Sequence, residues 1–302
     1  MAAKGWALYM GCVIPNRLPF IEVSIRETLR HFQVLTQDLQ EFTCCPNPLS
    51  LAHLDHQAAL AMAARNLAVA QNHNVDILTP CCGCFETLKG AAVELSTNEE
   101  LRDQVNTILG EIGYEYKGNG QVKHVIQFLY ENIGVAAITD AVEHPLRGLR
   151  VALHYGCHLL RPSNILKVDD ALHPTFLHTL VHALGATPIP YQDELDCCGQ
   201  GTRVGDRDLS LSMAGTKLSH IQQVDADALV VACPACMIQF DILQRLALRN
   251  QPNHNPVPVF YYPELLCLAL GTPIERLGLG LHRVKVDAAL AKVFPRLSLA
   301  AP

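Results

Sequence analysis

The sequence has no excess of positive charge and no long run of lysine or arginine. Its 302 residues include 23 Lys and Arg against 29 Asp and Glu, which gives a formal net charge of -6 at pH 7. This balance argues against a nucleic-acid-binding surface and against binding to an anionic membrane. Charged residues make up 17% and hydrophobic residues 49%. The composition therefore predicts a folded protein with a sizeable core rather than a disordered chain.

Long hydrophobic runs are missing as well. Apolar segments are short and are interrupted by His, Asp or Pro, so no segment is predicted to span a bilayer. The first residues, Met1 to Trp6, lead into an apolar run that is too short for a secretory signal and has no cleavage site after it. We therefore expect the protein in the cytoplasm.

Cysteine, in contrast, is abundant, with 12 residues. In a chain without a recognisable export signal, so many cysteines indicate metal ligands or redox groups rather than a disulfide framework. Both halves contain the same order of a single cysteine, an adjacent pair and a C-x-x-C motif. The first cysteine set is Cys12, Cys44, Cys45, Cys81 and Cys84, and the second cysteine set is Cys157, Cys197, Cys198, Cys233 and Cys236.

The sequence around the two sets repeats too. The stretch from Trp6 to Cys12 matches that from Val151 to Cys157, and each predicts an apolar strand, a glycine suited to a tight turn and then a cysteine. Each C-x-x-C motif follows a short apolar run that predicts a buried strand, and a helical pattern follows the motif. In parallel α/β sheets, ligands bind at the carboxyl ends of the strands. The cysteines are expected at such strand ends.

An internal repeat of this size predicts an α/β fold of two pseudo-symmetric Rossmann-like units. We place the first unit at residues 1–145 and the second at residues 146–302. Residues 94–144 contain no cysteine and are predicted to form a helical insert, with helices at 98–110 and 122–133. Each unit is expected to bring its cysteines to one edge of its sheet.

Three kinds of chemistry commonly use a C-x-x-C pair. A structural zinc site closes with four ligands, but each of the two sets offers five cysteines, two of them adjacent. A thioredoxin-like dithiol would suit Cys233 and Cys236, which precede a helix, but it leaves the other eight cysteines of the two sets unexplained. Iron-sulfur ligation accounts for all ten together. It is the favoured interpretation, with zinc and a dithiol as the alternatives.

The cysteine pattern resembles that of the CCG domain, and the whole chain resembles the B subunit of heterodisulfide reductase. Supporting similarity lies in Gly11–Arg17, Cys44–Pro46, Ala64–Leu67, His154–His158, Cys197–Gly199 and Gly278–Val284. The resemblance implies two [4Fe-4S] clusters of the noncubane type, each held by the five cysteines of one set. It also implies an oxidoreductase that reduces or forms a disulfide or sulfur bond of a thiol substrate bound between the clusters.

Two clusters suit this reaction because disulfide reduction is a two-electron couple, whereas one cluster ordinarily moves one electron. The resemblance also implies a ferredoxin-like subunit and a flavin-containing subunit as partners, since this chain has no G-x-G-x-x-G motif of its own. The substrate and the direction of the reaction stay open. The alternatives are an electron-relay subunit like those of succinate, lactate or glycolate oxidoreductases, and a zinc-stabilised scaffold.

Some residues beside the cysteines are candidates for contacts with the substrate. Arg17, Arg161 and Arg203 each follow a cysteine of the sets closely and could bind an anionic substrate, although a surface position explains them equally well. His154 and His158 flank a cysteine of the second set. They are candidates for hydrogen-bonding the cluster or for donating a proton.

Two cysteines lie outside both sets. Cys82, inside the first C-x-x-C motif, is a spare thiol in a position where relatives carry an uncharged polar residue, and we favour its interpretation as a packing residue. Cys267 lies in an apolar segment and is interpreted as an ordinary core thiol.

Overall fold

The structure is a computed structural model and describes residues 5–46, 51–249, 251 and 255–294. All ten cysteines of the two sets lie within these residues. Within them the strands, β1 to β8 in chain order, are Gly5–Leu8, Thr36–Gln37, Val75–Thr79, Val122–His124, Arg150–His154, Thr187–Pro188, Ala228–Val231 and Val259–Tyr261.

The helices, α1 to α16 in chain order, are Val13–Arg17, Pro19–His31, Leu51–Leu54, His56–Asn72, Cys82–Thr97, Glu99–Gly110, Val125–Phe128, Val135–Ala141, Cys157–Leu160, Ser163–Leu166, Phe176–Ala183, Arg207–Gln223, Pro234–Met237, Gln244–Ala247, Tyr262–Ala269 and Asp287–Val293. There are also π-helical turns at Leu129–Ile133 and Ile238–Ile242 and 3₁₀ turns at Gln200–Thr202, Ile274–Arg276 and Leu279–Leu281. Among the helices of the described residues, none combines the length and the apolar character needed to cross a bilayer.

Both sheets are parallel and share one strand order, β2-β1-β3-β4 in the first and β6-β5-β7-β8 in the second. Leu8 pairs with Leu78 in the first sheet, and Leu153 pairs with Val230 in the second. Every residue of the central strands β3 and β7 is buried, as is usual for parallel strands covered by helices on both faces. The predicted α/β fold of two pseudo-symmetric units is confirmed.

The predicted helical insert contains a strand that the sequence pattern did not reveal. The helix predicted at 98–110 is present as α6, and the Asn98 side chain accepts a hydrogen bond from the N–H of Leu101 at its start. The helix predicted at 122–133 is wrong at its beginning, because Val122–His124 form β4 and pair with β3. Three residues are too few to show strand periodicity. The division at residues 145 and 146 stays a prediction.

The helix before each C-x-x-C strand begins at an aspartate. Asp55 accepts a hydrogen bond from the N–H of Ala58 at the start of α4, and Asp206 accepts one from Leu209 at the start of α12, both at 2.9 Å. In each cap, the carboxylate accepts from a backbone N–H that has no partner within the helix. Such a cap contributes about 0.5–2 kcal/mol to stability. Both helices have 17 residues, so they place equivalent residues at equivalent points of the two units.

The two units contact each other through matching pairs of helices. Helix α2 packs against α15 of the second unit, and α8 packs against α11 of the second unit. Closer to the cysteines, α5 packs against α9, and α13 packs against α1 of the first unit. Each contact has a counterpart with the units exchanged. The arrangement is therefore an approximate two-fold one.

Cys267 lies in the contact between α2 and α15. Its side chain is fully buried, and its Sγ is 3.4 Å from Oγ1 of Thr28 and 3.3 Å from the carbonyl oxygen of Ser24. Burial raises the pKa of the Cys267 thiol to about 11, so it stays protonated at neutral pH. The prediction of an ordinary core thiol is confirmed.

A buried ion pair holds the last part of the described chain. Nε2 of His282 lies 2.8 Å from the Glu264 carboxylate at the start of α15, and both side chains are fully buried. Glu264 also accepts a hydrogen bond from the N–H of Tyr261, and Asp241 accepts one from the N–H of Arg283. Burial alone would lower the pKa of His282, but the carboxylates of Glu264 and then Asp241 outweigh it and raise the pKa.

This ion pair makes stability depend on pH. Because the pKa of His282 is higher in the folded chain than in the unfolded chain, where it is about 6.5, its stabilisation is complete below that pH and is lost as the pH rises through the folded-state pKa. His282→Gln should lower the free energy of unfolding by about 3–5 kcal/mol near neutral pH. In this variant the free energy of unfolding should also fall less steeply as the pH rises. Denaturant unfolding followed by circular dichroism measures both effects.

The matched control is His31→Gln, the same replacement at an exposed histidine. It should leave both the stability and its pH dependence close to those of the unchanged protein. An equally steep decline in His282→Gln would contradict the assigned ion pair.

Candidate metal centre

The first cysteine set converges at the carboxyl ends of β1 and β3. Cys12 is the residue before α1, and Cys81 is the residue before α5. The sulfur atoms of Cys45 and Cys84 are 3.0 Å apart. Side-chain hydrogen bonds also join Cys44 to Cys12 and Cys84 to Cys81. All five thiols of the set thus lie together at one edge of the first sheet.

The second cysteine set has the same arrangement at the carboxyl ends of β5 and β7. The sulfur atoms of Cys198 and Cys236 are 3.4 Å apart, and side-chain hydrogen bonds join Cys157 to Cys197 and Cys233 to Cys236. Hydrogen bonds from Cys157 and Cys198, and then one from a backbone N–H, lower the pKa of the Cys197 thiol. Cys197 is therefore a thiol of this set that holds negative charge more readily than a free cysteine.

Backbone N–H groups contribute to this second set. The N–H of Gly199 donates to Sγ of Cys197 at 3.3 Å, and the N–H of Gln200 donates to Sγ of Cys198 at 3.5 Å. Gly199 has a φ of +84°, a conformation that a residue with a side chain rarely adopts. The Cys-Cys-Gly sequence therefore turns the chain so that two amides point at two sulfur atoms.

A glycine beside the first cysteine of each set allows close approach of the other thiols. A Cβ on Gly11, which has a φ of +68°, would lie 2.8 Å from Sγ of Cys84. A Cβ on Gly156, with a φ of +83°, would lie 3.2 Å from Sγ of Cys82 and 3.3 Å from Cβ of Cys233. Both positions require glycine for conformation and for space.

The two sets face each other where the units meet. The thiols of Cys81 and Cys82 both lie against the thiol of Cys233. Sγ of Cys82 also lies 3.3 Å from the carbonyl oxygen of Ala232 and 3.7 Å from Nε2 of the buried His124. Burial raises the pKa of Cys82 well above its usual value. The spare thiol is thus a fully buried part of the wall between the two sets.

The donor chemistry of these residues fits an iron-sulfur group. All twelve cysteines are free thiols, so none of the ten is used in a disulfide. Each unit presents five thiols at one place, one more than a tetrahedral zinc ion takes. Backbone amides that donate to sulfur and a largely buried setting are the features through which proteins tune such groups.

The candidate histidines have different surroundings. His154 is 1% exposed, and its Nε2 lies 3.2 Å from Sγ of Cys236. Burial lowers the pKa of His154 to about 3. His158 is partly exposed, and its Nδ1 lies 2.8 Å from the carboxylate of Glu86. Although burial opposes it, this carboxylate raises the pKa of His158. His154 therefore contacts a thiol of its set, and His158 is oriented by a carboxylate instead.

The candidate arginines lie at the margin of the site. The guanidinium of Arg161 donates to the backbone carbonyls of Leu195 and Ala171, so it braces the loop that leads to the cysteine pair of the second set. Arg17 is exposed in the last turn of α1, and Arg203 is partly exposed after the turn that follows Gly199. The side chain of Arg161 is therefore held by backbone carbonyl groups at the margin of the site.

Three residues beside the thiols were missed by sequence reasoning. The hydroxyl of Tyr9 donates to the carbonyl of Thr43 at 2.5 Å and contacts Cys45. Asn66 accepts a hydrogen bond from the N–H of Thr43, and Lys217 lies behind His154 at 3.4 Å. Tyr9 could have been found, because the repeat aligns it with His154. Asn66 lies in Ala64–Leu67, one of the stretches that support the family resemblance, whereas Lys217 lies in a long helix whose pattern gives no sign of a site.

A cavity of about 510 Å³ opens beside the first set. Cys12 and Cys44, which are exposed, line it together with Tyr9 and Phe42. The corresponding Cys157 and Cys197 are less exposed. The first set is therefore the more accessible of the two.

Comparisons with known proteins agree with this geometry. The CCG family, described as a cysteine-rich domain, matches residues 6–89 and 151–241. The chain is 38% identical over 290 residues to the B subunit of the ferredoxin/F(420)H(2)-dependent CoB-CoM heterodisulfide reductase of Methanosarcina acetivorans, covering 95% of this chain and 96% of that one. It is 37% identical, with the same coverage, to the B subunit of the ferredoxin:CoB-CoM heterodisulfide reductase of Methanosarcina mazei.

Another relative is named for a different function. The chain is 32% identical to the 8-methylmenaquinol:fumarate reductase membrane anchor subunit of Wolinella succinogenes, covering 94% of this chain and 98% of that one. The solved structure of a hypothetical protein from Helicobacter pylori matches with a TM-score of 0.78 at 15% identity, which shows the fold alone. The match covers 94% of this chain and 53% of that chain, so this chain spans about half of it.

Each of the two CCG matches contains one complete cysteine set. The two Methanosarcina relatives extend this similarity over nearly the whole chain. The protein therefore belongs to the CCG cysteine-rich domain family and, within it, to the family of heterodisulfide reductase B subunits.

Proposed function

We propose that this chain is the iron-sulfur B subunit of a heterodisulfide-reductase-like complex, with two [4Fe-4S] clusters of the noncubane type. The five thiols of the first cysteine set would hold one cluster, and the five thiols of the second set would hold the other. The observation that carries the proposal is the pair of matching five-thiol sets, which face each other across Cys81, Cys82 and Cys233. Such facing sites suit a reaction that needs two electrons at one place.

The chemistry supplied by two bound clusters would be the delivery or removal of one electron each as a sulfur–sulfur bond breaks or forms. The residues of the chain hold the two sites in place for this purpose. Gly11 and Gly156 let the backbone approach the thiols closely. The N–H groups of Gly199 and Gln200 stabilise negative charge on sulfur.

The cavity beside the first set supports access by a thiol substrate. Its lining includes Arg26, whose guanidinium binds the carboxylates of both Glu22 and Asp38 at 2.9 Å. These carboxylates balance the charge of Arg26. The candidate contacts Arg17, Arg161, Arg203, His154 and His158 are not among the residues that line this cavity. Arg161 braces a loop, and His154 is buried against Cys236.

The partners that fit this proposal are a ferredoxin-like subunit and a flavin-containing subunit of a cytoplasmic complex. One subunit of a larger reductase requires an electron donor or acceptor, and the names of the two Methanosarcina relatives include ferredoxin. The alternative is an electron-relay subunit of a flavin-dependent succinate, lactate or glycolate oxidoreductase. The fumarate reductase relative favours this alternative.

Metal content tests the cofactor. Protein made without oxygen should contain about eight irons and eight labile sulfides per chain, since two four-iron clusters are proposed. Colorimetric iron and sulfide determination with visible absorption spectra measures this. Stoichiometric zinc without sulfide-to-iron absorption would rule out the proposed cofactor.

Paired substitutions test the assignment of ligands to sites. Cys44→Ser with Cys45→Ser should remove about half of the iron and leave the paramagnetic signal of the second cluster, because the two sets come from separate units. The control is Cys267→Ser, which changes a buried thiol outside both sets and should keep the full iron content. Loss of both clusters from the paired variant would show that the sets share ligands.

A thiol titration distinguishes disulfide chemistry from electron relay. If a substrate sulfur binds beside the exposed Cys12 and Cys44, adding thiol to the oxidised protein should change the electron paramagnetic resonance spectrum of one cluster. Disulfide reduction should also stop when either cluster is removed. A spectrum that stays unchanged at saturating concentrations of several thiols would favour the relay.

A further inference from the structure

The two sites occupy equivalent places but differ in the residues beside them. Tyr9 and His154 correspond, since each lies two residues before the glycine that precedes the first cysteine of its set. Asn66 and Lys217 correspond, since each lies eleven residues after the aspartate that caps its helix, α4 or α12. The first site therefore has a phenol and an amide where the second has an imidazole and an ammonium.

Lys217 is an unusual residue for a protein interior. It is 1% exposed, and its Nζ donates to the backbone carbonyl of Asp193 and lies 5.4 Å from the ring centre of Tyr191. Its Nζ is also 3.4 Å from Nδ1 of His154, whose Nε2 lies 3.2 Å from Sγ of Cys236. Burial lowers the pKa of Lys217, and the nearby carboxylates of Asp193 and Asp196 oppose this shift. The amine of Lys217 is thus linked to the thiol of Cys236 through one imidazole ring.

This chain of contacts selects one tautomer of the ring. An ammonium group has three donors and no acceptor, so Nδ1 of His154 must carry a lone pair to bond with Lys217. A cysteine that binds a metal is a thiolate and has no proton to donate. Nε2 of His154 must then carry the proton and donate it to Sγ of Cys236. Both neighbours of the ring require the same assignment.

One acceptor competes with this arrangement. The backbone carbonyl oxygen of Glu194 lies near His154 and 3.5 Å from Nζ of Lys217. If it accepted a proton from Nδ1, Nε2 would face the Cys236 thiolate with a lone pair, and Nδ1 would point its proton towards the ammonium. Both contacts would then be repulsive, so the lysine is the residue that disfavours this tautomer.

The equivalent residues of the first site make different contacts. The hydroxyl of Tyr9 donates to the carbonyl of Thr43 and also contacts the thiol of Cys45. Asn66 uses its side-chain oxygen to accept from the N–H of the same residue and carries no charge. The two sites therefore differ in the kind of side chain that lies against sulfur, a phenol or an imidazole, and in nearby charge, although their backbones match.

We propose that Lys217 is a positioning residue that fixes His154 as an N–H donor to Cys236, and that together they give the second cluster a higher reduction potential than the first. The proposal rests on the proposed function, because it concerns the bound clusters. A hydrogen bond to a ligating sulfur and a buried cation both stabilise the added electron of a reduced cluster. At equilibrium a single electron would then reside mainly on the second cluster.

The experiment is a potentiometric titration of the full-length, anaerobically loaded protein, followed by electron paramagnetic resonance. Signals are assigned with the Cys44→Ser and Cys45→Ser variant. Lys217→Met should lower the equilibrium constant for reduction of the second cluster by at least about 10-fold, which is about 59 mV for a one-electron couple. The potential of the first cluster should stay the same. In Lys217→Arg, which keeps the charge and the donors, most of the difference in reduction potential between the two clusters should remain.

A second measurement tests the hydrogen bond itself. In protein labelled with ¹⁵N-histidine, pulsed resonance of the reduced second cluster should show a weak ¹⁵N coupling and an exchangeable proton, as an N–H donor to sulfur predicts. In Lys217→Met the exchangeable proton coupling should weaken. The matched control is Lys285→Gln, which removes a lysine charge at an exposed position and should change neither the potentials nor the couplings.

The outcomes separate this inference from the proposed function. Protein with no iron-sulfur cluster overturns both. Protein with two clusters whose potentials shift equally, or not at all, in Lys217→Met overturns the inference alone. A strong ¹⁵N coupling would show that His154 ligates iron directly, as the grouping of His154, Cys198 and Cys236 within 4.8 Å would also permit, and would overturn the hydrogen-bonding assignment.

Discussion

The position of both sites depends on helix–helix contacts between the two units. Helix α5, which carries the first C-x-x-C motif, packs against α9 of the second unit, and α13 packs against α1 in the equivalent way. A helix that follows a cysteine in one unit is thus buried by a helix that follows a cysteine in the other. This contact places Cys81 beside Cys233. Neither unit alone would form the wall between the two cysteine sets, so their facing arrangement is a property of the whole chain.

Within each unit, the ends of the strands determine where the cysteines lie. The cysteines follow the central parallel strands, whose carboxyl ends meet at one edge of a sheet. The glycine before the first cysteine has a positive φ in both units and leaves room for sulfur from a neighbouring strand. Capping at Asp55 and Asp206 fixes the start of two equally long helices. These helices direct Asn66 and Lys217 at the loops that carry the cysteine pairs.

The sequence was sufficient to predict the repeated fold and the grouping of the thiols, because spacing, glycines and apolar runs recur in both halves. It was insufficient for β4, since Val122–His124 is largely buried but too short to show periodicity. It also could not reveal Lys217, because a lysine in a largely polar helix is normally solvent-exposed. Its burial follows from long-range contacts with Asp193 and His154, and no local pattern encodes these contacts.

An approximate two-fold fold would by itself produce two sites of equal reduction potential, and equal sites would share an electron without preference. The chain departs from symmetry at the side chains rather than in the backbone. Tyr9 and Asn66 are replaced by His154 and Lys217, and the first set opens to a cavity while the second is more enclosed. The two sites therefore differ both in exposure and in the side chains beside their thiols. The accessible site has the amide of Asn66 in the place where the enclosed site has the buried Lys217.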